Sequence, residues 1–141
     1  MLEFSEIDLR RDPHARRFVK DEVVDAVFAT ADGELLSREG VNRYRVGDAL
    51  ITGSTGDKWS VSRDRFDARY EADTQLGIDG RYRAKPIPVL AKQIAEPFRA
   101  LRSAGGDVLD GAADDWLLQY APGDIGVIEN ARFRQVYRAL E

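Results

Sequence analysis

The chain offers few residues able to do chemistry: one histidine, no cysteine, twenty-five carboxylates, five tyrosines and two tryptophans. Lack of cysteine excludes a disulfide framework, an iron–sulfur site, a thiolate zinc site and a cysteine nucleophile. The lone His14 cannot build a multi-histidine metal site, and any catalytic triad would have to use it. It sits in Asp12-Pro13-His14-Ala15-Arg16 with no nucleophile at a recognisable spacing, so a surface position is expected. Asp48 and Asp57 recur as Asp115 and Asp124 at the same spacing. Paired carboxylates suit acid–base or cation chemistry. These, however, lie beside glycines or at hairpin edges, where aspartate accepts backbone N–H bonds, and a turn-forming role explains all four. Asp114, the extra acid beside Asp115, is the better functional candidate. No metal site and no cofactor is expected.

The elements that would position these groups follow from an internal correspondence. Asp48, Phe66 and Tyr70 recur at an offset of 67 as Asp115, Phe133 and Tyr137. The same offset carries Leu50 onto Leu117, Gly56-Asp57 onto Gly123-Asp124, Arg65 onto Arg132 and Ala72 onto Ala139. Eight of the 27 positions from Val46 to Ala72 are identical under it. A weaker match at 65 sets Val24-Asp25-Ala26 on Val89-Leu90-Ala91 and Lys20 on Lys85. The chain is therefore expected to be one domain, 1–141, built of a first repeat over 14–73 and a second over 78–141, joined near Asp73-Thr74-Gln75-Leu76-Gly77.

Turn chemistry predicts a hairpin in each half. Ala49-Leu50-Ile51-Thr52 turns through Gly53-Ser54-Thr55-Gly56-Asp57 into Trp59-Ser60-Val61. Trp116 to Tyr120 turns through Ala121-Pro122-Gly123-Asp124 into Ile125 to Ile128, with glycine available for positive φ. A helix is expected after each hairpin. Ser62 caps one, with Phe66 and Tyr70 on its apolar side; Asn130 caps the other, with Phe133, Val136, Tyr137 and Leu140 as a stripe. Upstream strands are expected over Glu22–Ala29 and Ile87–Ile94, the latter at a sheet edge because of Pro86 and Pro88. Glu96-Pro97-Phe98-Arg99-Ala100-Leu101-Arg102 is predicted helical, stopping at Gly105-Gly106. The sum is an α+β fold, mainly antiparallel, with two strand–hairpin–helix units sharing one core about an approximate twofold.

Certain residues break the correspondence and become site candidates. Trp59 meets Gly126 and Trp116 meets Ala49, so a large side chain faces a small one at each. That pattern fits complementary core filling, and it also fits a pocket walled by indole. Tyr120 shares strand parity with Trp116, and Lys85 and Gln93, eight apart, can face one side. Trp59, Lys85, Gln93, Asp114, Trp116 and Tyr120 are the ligand-binding candidates. No residue is assigned a catalytic role.

Several of these residues belong to a recognisable pattern. Tyr82-Arg83-Ala84-Lys85-Pro86-Ile87-Pro88-Val89-Leu90-Ala91-Lys92-Gln93 is similar to the "YRKKPV-V-A-Q" opening of small bacterial and phage proteins that close with "GDW(L/I)(I/V)…F…YE". Here the closing pattern runs from Asp115-Trp116-Leu117-Leu118 to Phe133 and Tyr137. Ala121-Pro122-Gly123-Asp124-Ile125-Gly126-Val127 resembles the signature of the PGDYG family, with Ile125 in place of its tyrosine. The resemblance covers Tyr82 to Glu141 and, more loosely, Lys20 to Glu71. Asp114 replaces the glycine of "GDW", which the first segment keeps as Gly47-Asp48, followed there by Ala49. The resemblance implies a family without an assigned activity, so it transfers no catalytic residues.

Charge and hydropathy narrow the function classes. Twenty-one basic against twenty-five acidic residues give −4 at pH 7, which argues against a nucleic-acid partner. The densest basic stretch, Arg10 to Lys20, is interleaved with Asp12 and followed by Asp21 and Glu22, as a solvated face would be. No apolar run reaches the ~18 residues of a membrane span. The acidic start Met1-Leu2-Glu3-Phe4-Ser5-Glu6 is unlike a signal peptide, and a cytoplasmic location is expected. The favoured reading is a soluble, non-enzymatic binding module for a small polar ligand or a protein partner near the interface of the repeats. The alternatives are a small hydrolase or isomerase using Asp114/Asp115, a tyrosine or His14, and a phage-type sequestering or inhibitor protein.

Overall fold

The computed structural model describes residues 1–37, 40–73, 80–101 and 108–140. Along the chain run β1 (Leu2–Phe4), a 3-10 turn (Leu9–Arg11), β2 (Arg16–Lys20), β3 (Val23–Phe28), β4 (Gly33–Ser37) and β5 (Gly40–Tyr44). Next come β6 (Ala49–Thr52), β7 (Lys58–Val61), α1 (Arg63–Arg69), β8 (Tyr70–Ala72), β9 (Arg81–Ala84) and β10 (Val89–Gln93). The remainder is β11 (Phe98–Leu101), β12 (Val108–Gly111), β13 (Trp116–Ala121), β14 (Asp124–Ile128), α2 (Asn130–Val136) and β15 (Tyr137–Ala139). The expected α+β class is thereby overturned. Fifteen strands stand against two seven-residue helices among the described residues, so the protein is mostly β. Nor is there one helix-built core: the buried apolar residues fall into three clusters. The junction near Thr74–Gly77 and the Gly105-Gly106 stop lie outside the described residues.

Two compact units are formed, one from residues 21–86 and the other from 1–20 together with 87–141. In the 21–86 unit a five-stranded antiparallel sheet has the order β7-β6-β3-β9-β8. The two-residue period of β3 turns Val24 and Ala26 inward and leaves Asp25 and Val27 exposed. On the inner face Val24, Ala26, Ala49, Ile51, Phe66, Tyr70 and Ala84 form the core. The helix α1 begins where the Ser62 hydroxyl accepts the Arg65 N–H at 3.4 Å, as its sequence indicated. It drops Phe66 onto the sheet and ends because Tyr70 turns extended and pairs with Ala84. A separate ribbon, β4 with β5, completes the unit.

The other unit holds a five-stranded sheet of order β14-β13-β10-β2-β15 and a three-stranded sheet β1-β11-β12. Neighbours Leu117 and Leu118 point to opposite faces, and both are buried. Leu118 joins Val89, Ala91 and Phe133 beneath α2; Leu117 joins Leu9, Ile94, Phe98, Ala100 and Ile125 on the other face. The segment expected to be helical near Phe98 is instead β11, parallel to β1 and antiparallel to β12. Its alternate residues Phe98 and Ala100 are fully buried, a two-residue period that a helix could not satisfy. Strand β10 is central rather than at an edge, because Pro86 and Pro88 both precede its first paired residue, Val89. The expected α2 stripe also stops early: Tyr137 is extended and pairs with Lys20.

The expectation of two repeated strand–hairpin–helix units falls with the α+β class, and what the two segments share is limited to individual strand pairings. Ala49↔Val61 and Trp116↔Ile128 are matched rungs of the two hairpins. Asp25↔Thr52 matches Leu90↔Gln119, whereas Tyr70 pairs with Ala84 and Tyr137 with Lys20, one position away from the Lys20–Lys85 correspondence of the sequence.

Candidate functional site

The strongest convergence of polar side chains with an indole lies at one end of the β10–β13 ladder. Gln93 closes β10 directly opposite Trp116, the first residue of β13. The loop between β12 and β13 is tied to β10 by two backbone bonds. Asp114 N–H donates to Ile94 C=O at 2.7 Å, and Ile94 N–H donates to Asp115 C=O at 3.0 Å. Asp115 is fully used by the scaffold: one carboxylate oxygen accepts Ala112 N–H at 2.9 Å and the other Asn130 N–H at 3.2 Å. Asp48 accepts Arg45 N–H at 2.9 Å in the same way. The turn-forming reading of these two aspartates therefore agrees with the geometry.

Asp114 differs. Its φ is +73°, in the left-handed region, at the place where the matching loop has Gly47 with φ +91°. Its backbone C=O accepts the Gln93 side-chain amide at 3.0 Å, while its exposed carboxylate makes no bond among the described residues. Trp116 is half-buried, stacked on Phe133 at 3.9 Å and 11°, with Phe18 edge-on at 5.5 Å. Its indole N–H donates to Asn130 Oδ1 at 2.9 Å, and Gln93 Nε2 reaches the same oxygen at 3.4 Å.

These bonds determine which way both amides point. An indole nitrogen can only donate and a backbone carbonyl can only accept. Asn130 must therefore turn its oxygen to Trp116, and Gln93 its nitrogen to Asp114. Among the described residues, Gln93 Oε1 and Asn130 Nδ2 are left without partners. This end of the ladder thus gathers an indole and two oriented amides, with exposed Asp114 bound to them through its backbone carbonyl.

Of the sequence candidates, Gln93, Asp114 and Trp116 come together. Tyr120 lies on the same sheet face, but its ring covers Gly126, where an added Cβ would meet it at 3.1 Å. Trp59 and Lys85 belong to the 21–86 unit. Trp59 packs against the core there opposite Ile51, and Lys85 Nζ donates to the Asp67 carbonyl at 2.8 Å. Asn130 was expected as a helix cap; the cap is Glu129, and Asn130 instead joins the site. Nothing in the spacing of Gln93, Trp116 and Asn130 signals this, because only the fold makes them neighbours. Buried Gln119 was also missed; its Oε1 accepts Leu9 N–H at 2.6 Å, tying the N-terminal segment to β13.

Away from this face, His14 is exposed and its backbone N–H donates to Asp12 at 2.8 Å. The Lys92 ammonium, 2.8 Å away, and that His14 N–H hold the Asp12 carboxyl below the usual carboxylate range. Arg10 does the same to Asp8 through a 2.9 Å contact. Among the described residues no group of three His, Cys, Asp or Glu could hold a metal ion. Two shallow depressions, of about 270 and 190 Å³, border Leu36, Asp57 and Lys58 in one case and Val27, Leu50 and Thr52 in the other; neither is lined by an indole. Among the described residues no helix is long and apolar enough to cross a membrane.

No curated protein and no solved structure matches the chain. A family model described as "PGDYG protein" matches residues 40–138, from β5 through most of β15. The matched span includes both hairpins, both helices and every residue of the Gln93–Asp114–Trp116–Asn130 face. The chain belongs to the PGDYG protein family.

Proposed function

We propose that this protein is a non-enzymatic binding module that takes a small polar ligand at the Gln93–Asp114–Trp116–Asn130 face. The observation that carries this reading is the orientation of the two amides. Each is fixed by a partner that admits one orientation only, and each keeps one hydrogen-bonding atom that no described residue engages, near an aromatic ring. Polar groups held rigidly against an apolar wall recognise a ligand at low entropic cost. The reading takes the protein as soluble and cytoplasmic, in keeping with a chain that carries no cysteine.

The test is the set of small molecules that leave the natively purified protein on denaturation, measured by mass spectrometry. The parent protein should release a compound that a Gln93→Leu variant of equal melting temperature does not. Identical release from both overturns the reading.

A protein partner is the second reading, and one observation favours it. Leu36 and Val41, paired across the β4–β5 ribbon, are 76% and 63% exposed. Leu36→Ser/Val41→Ser should then abolish co-purification of a partner without altering the melting temperature.

A further inference from the structure

We propose that the Gln93–Asp114–Trp116–Asn130 face is a subsite for a guanidinium group, borne by an arginine residue of an extended peptide or by a free guanidine compound. This rests on the binding-module reading and names the ligand chemistry for the same site. The unused groups are unequal in kind. Two are acceptors, the Asp114 carboxylate and Gln93 Oε1, and one of these carries a full negative charge. A ligand that satisfies both must bring several donors and a positive charge.

A planar guanidinium does so with five N–H groups, and it favours carboxylates and aromatic faces. In sequence, Asp115 follows Asp114 and exposed Glu129 precedes Asn130. Trp116 supplies the ring, held by stacking on Phe133 and by its bond to Asn130. The remaining donor, Asn130 Nδ2, needs an acceptor from the ligand. A backbone carbonyl next to an arginine side chain provides one, and a bare guanidine compound does not.

The full-length protein carrying Trp59→Phe leaves Trp116 as its only tryptophan emitter and serves as the reference. It is titrated with N-acetylarginine N-methylamide, agmatine and N-acetylcitrulline N-methylamide, the last a neutral ligand of the same shape. The expected result is a saturable change in emission with the arginine ligand, weaker by roughly tenfold or more for citrulline and for an Asp114→Asn variant. Asparagine tolerates the left-handed region, so that variant removes charge without disturbing the loop. Agmatine binding more weakly than the arginine ligand identifies a peptide as the source; equal binding identifies a free guanidine compound. Equal affinities for arginine and citrulline, or an unchanged affinity in Asp114→Asn, overturn the guanidinium assignment and leave the binding site in place. No response to any of the three ligands overturns the guanidinium assignment, and the release experiment then decides the broader reading separately.

Discussion

Trp116 stands directly opposite Gln93 across the β10–β13 ladder, whereas the matching rung of the other sheet sets Ala49 opposite Phe28. Each rung has one aromatic ring, on opposite strands. The same exchange occurs in the ribbons: Gly33 faces Tyr44 in one, and Phe98 faces Gly111 in the other. The ring is needed to fill the volume, and either strand can supply it. In the 21–86 unit Phe28 receives the Arg63 guanidinium at 3.9 Å. In the other unit Asn130 takes the indole N–H and frees Gln93 to carry a polar group. With the ring on β13, the facing position at this end of β10 carries a polar side chain, Gln93.

Asp114 should tolerate only residues suited to the left-handed region. Asp114→Gly and Asp114→Asn should change stability by no more than about 0.5 kcal/mol, while Asp114→Val should cost about 1–2 kcal/mol. Urea midpoints on the three variants check this. An unaffected valine variant would contradict the loop geometry.

Phe66 and Phe133 each hold a helix onto its sheet and are 1% and 3% exposed. Phe66→Ala and Phe133→Ala should each cost about 3–5 kcal/mol. Denaturant titration gives the values, with Val27→Ala, at an exposed position, as a control expected within about 0.5 kcal/mol.

Gly111 and Gly33 both lie under an aromatic ring, but their neighbours differ in freedom. A Cβ on Gly111 would collide with the ring of fully buried Phe98. A Cβ on Gly33 would meet the outer end of half-buried Tyr44, which can swing aside. Gly111→Ala should therefore cost about 1–3 kcal/mol and Gly33→Ala clearly less. Phe98→Leu combined with Gly111→Ala should lose less than the sum of the single changes. Additive losses would show that the two side chains do not compete for space.

The Asp12–Lys92 pair makes stability depend on acid. The Asp12 carboxyl is depressed in the folded protein, first by Lys92 and then by the His14 N–H. A depressed carboxyl contributes its stability above the unfolded value near 4 and loses it as pH falls through the lower folded value. Melting temperature should therefore drop below about pH 4, and Asp12→Asn should shallow that drop. A variant with the same acid profile as the parent would remove Asp12 from the account.

Local chemistry settled much of the chain's architecture. Glycine and proline punctuation marked both hairpins, alternation marked β3, and Ser62 marked the start of α1, because each depends on residues close in sequence. The family signature around Pro122-Gly123-Asp124 was likewise legible, whereas the matched spacings of Asp48, Phe66 and Tyr70 with Asp115, Phe133 and Tyr137 pointed to repeated hairpin–helix units that the fold does not have. The class was misjudged where two periods compete over few residues. Four residues around Phe98 fit one helical turn as well as a strand, and only the partners β1 and β12 resolve the choice. Helix α2 ended early because Tyr137 gains a sheet partner, Lys20, that lies more than a hundred positions away in the chain. The site was half visible. Gln93, Asp114 and Trp116 stood out by chemistry or by breaking the correspondence, whereas Asn130 carried no such mark. A hydrogen bond has direction and short range, so its partner is chosen by where the fold brings a donor. Here the β10–β13 ladder and the start of α2 made that choice.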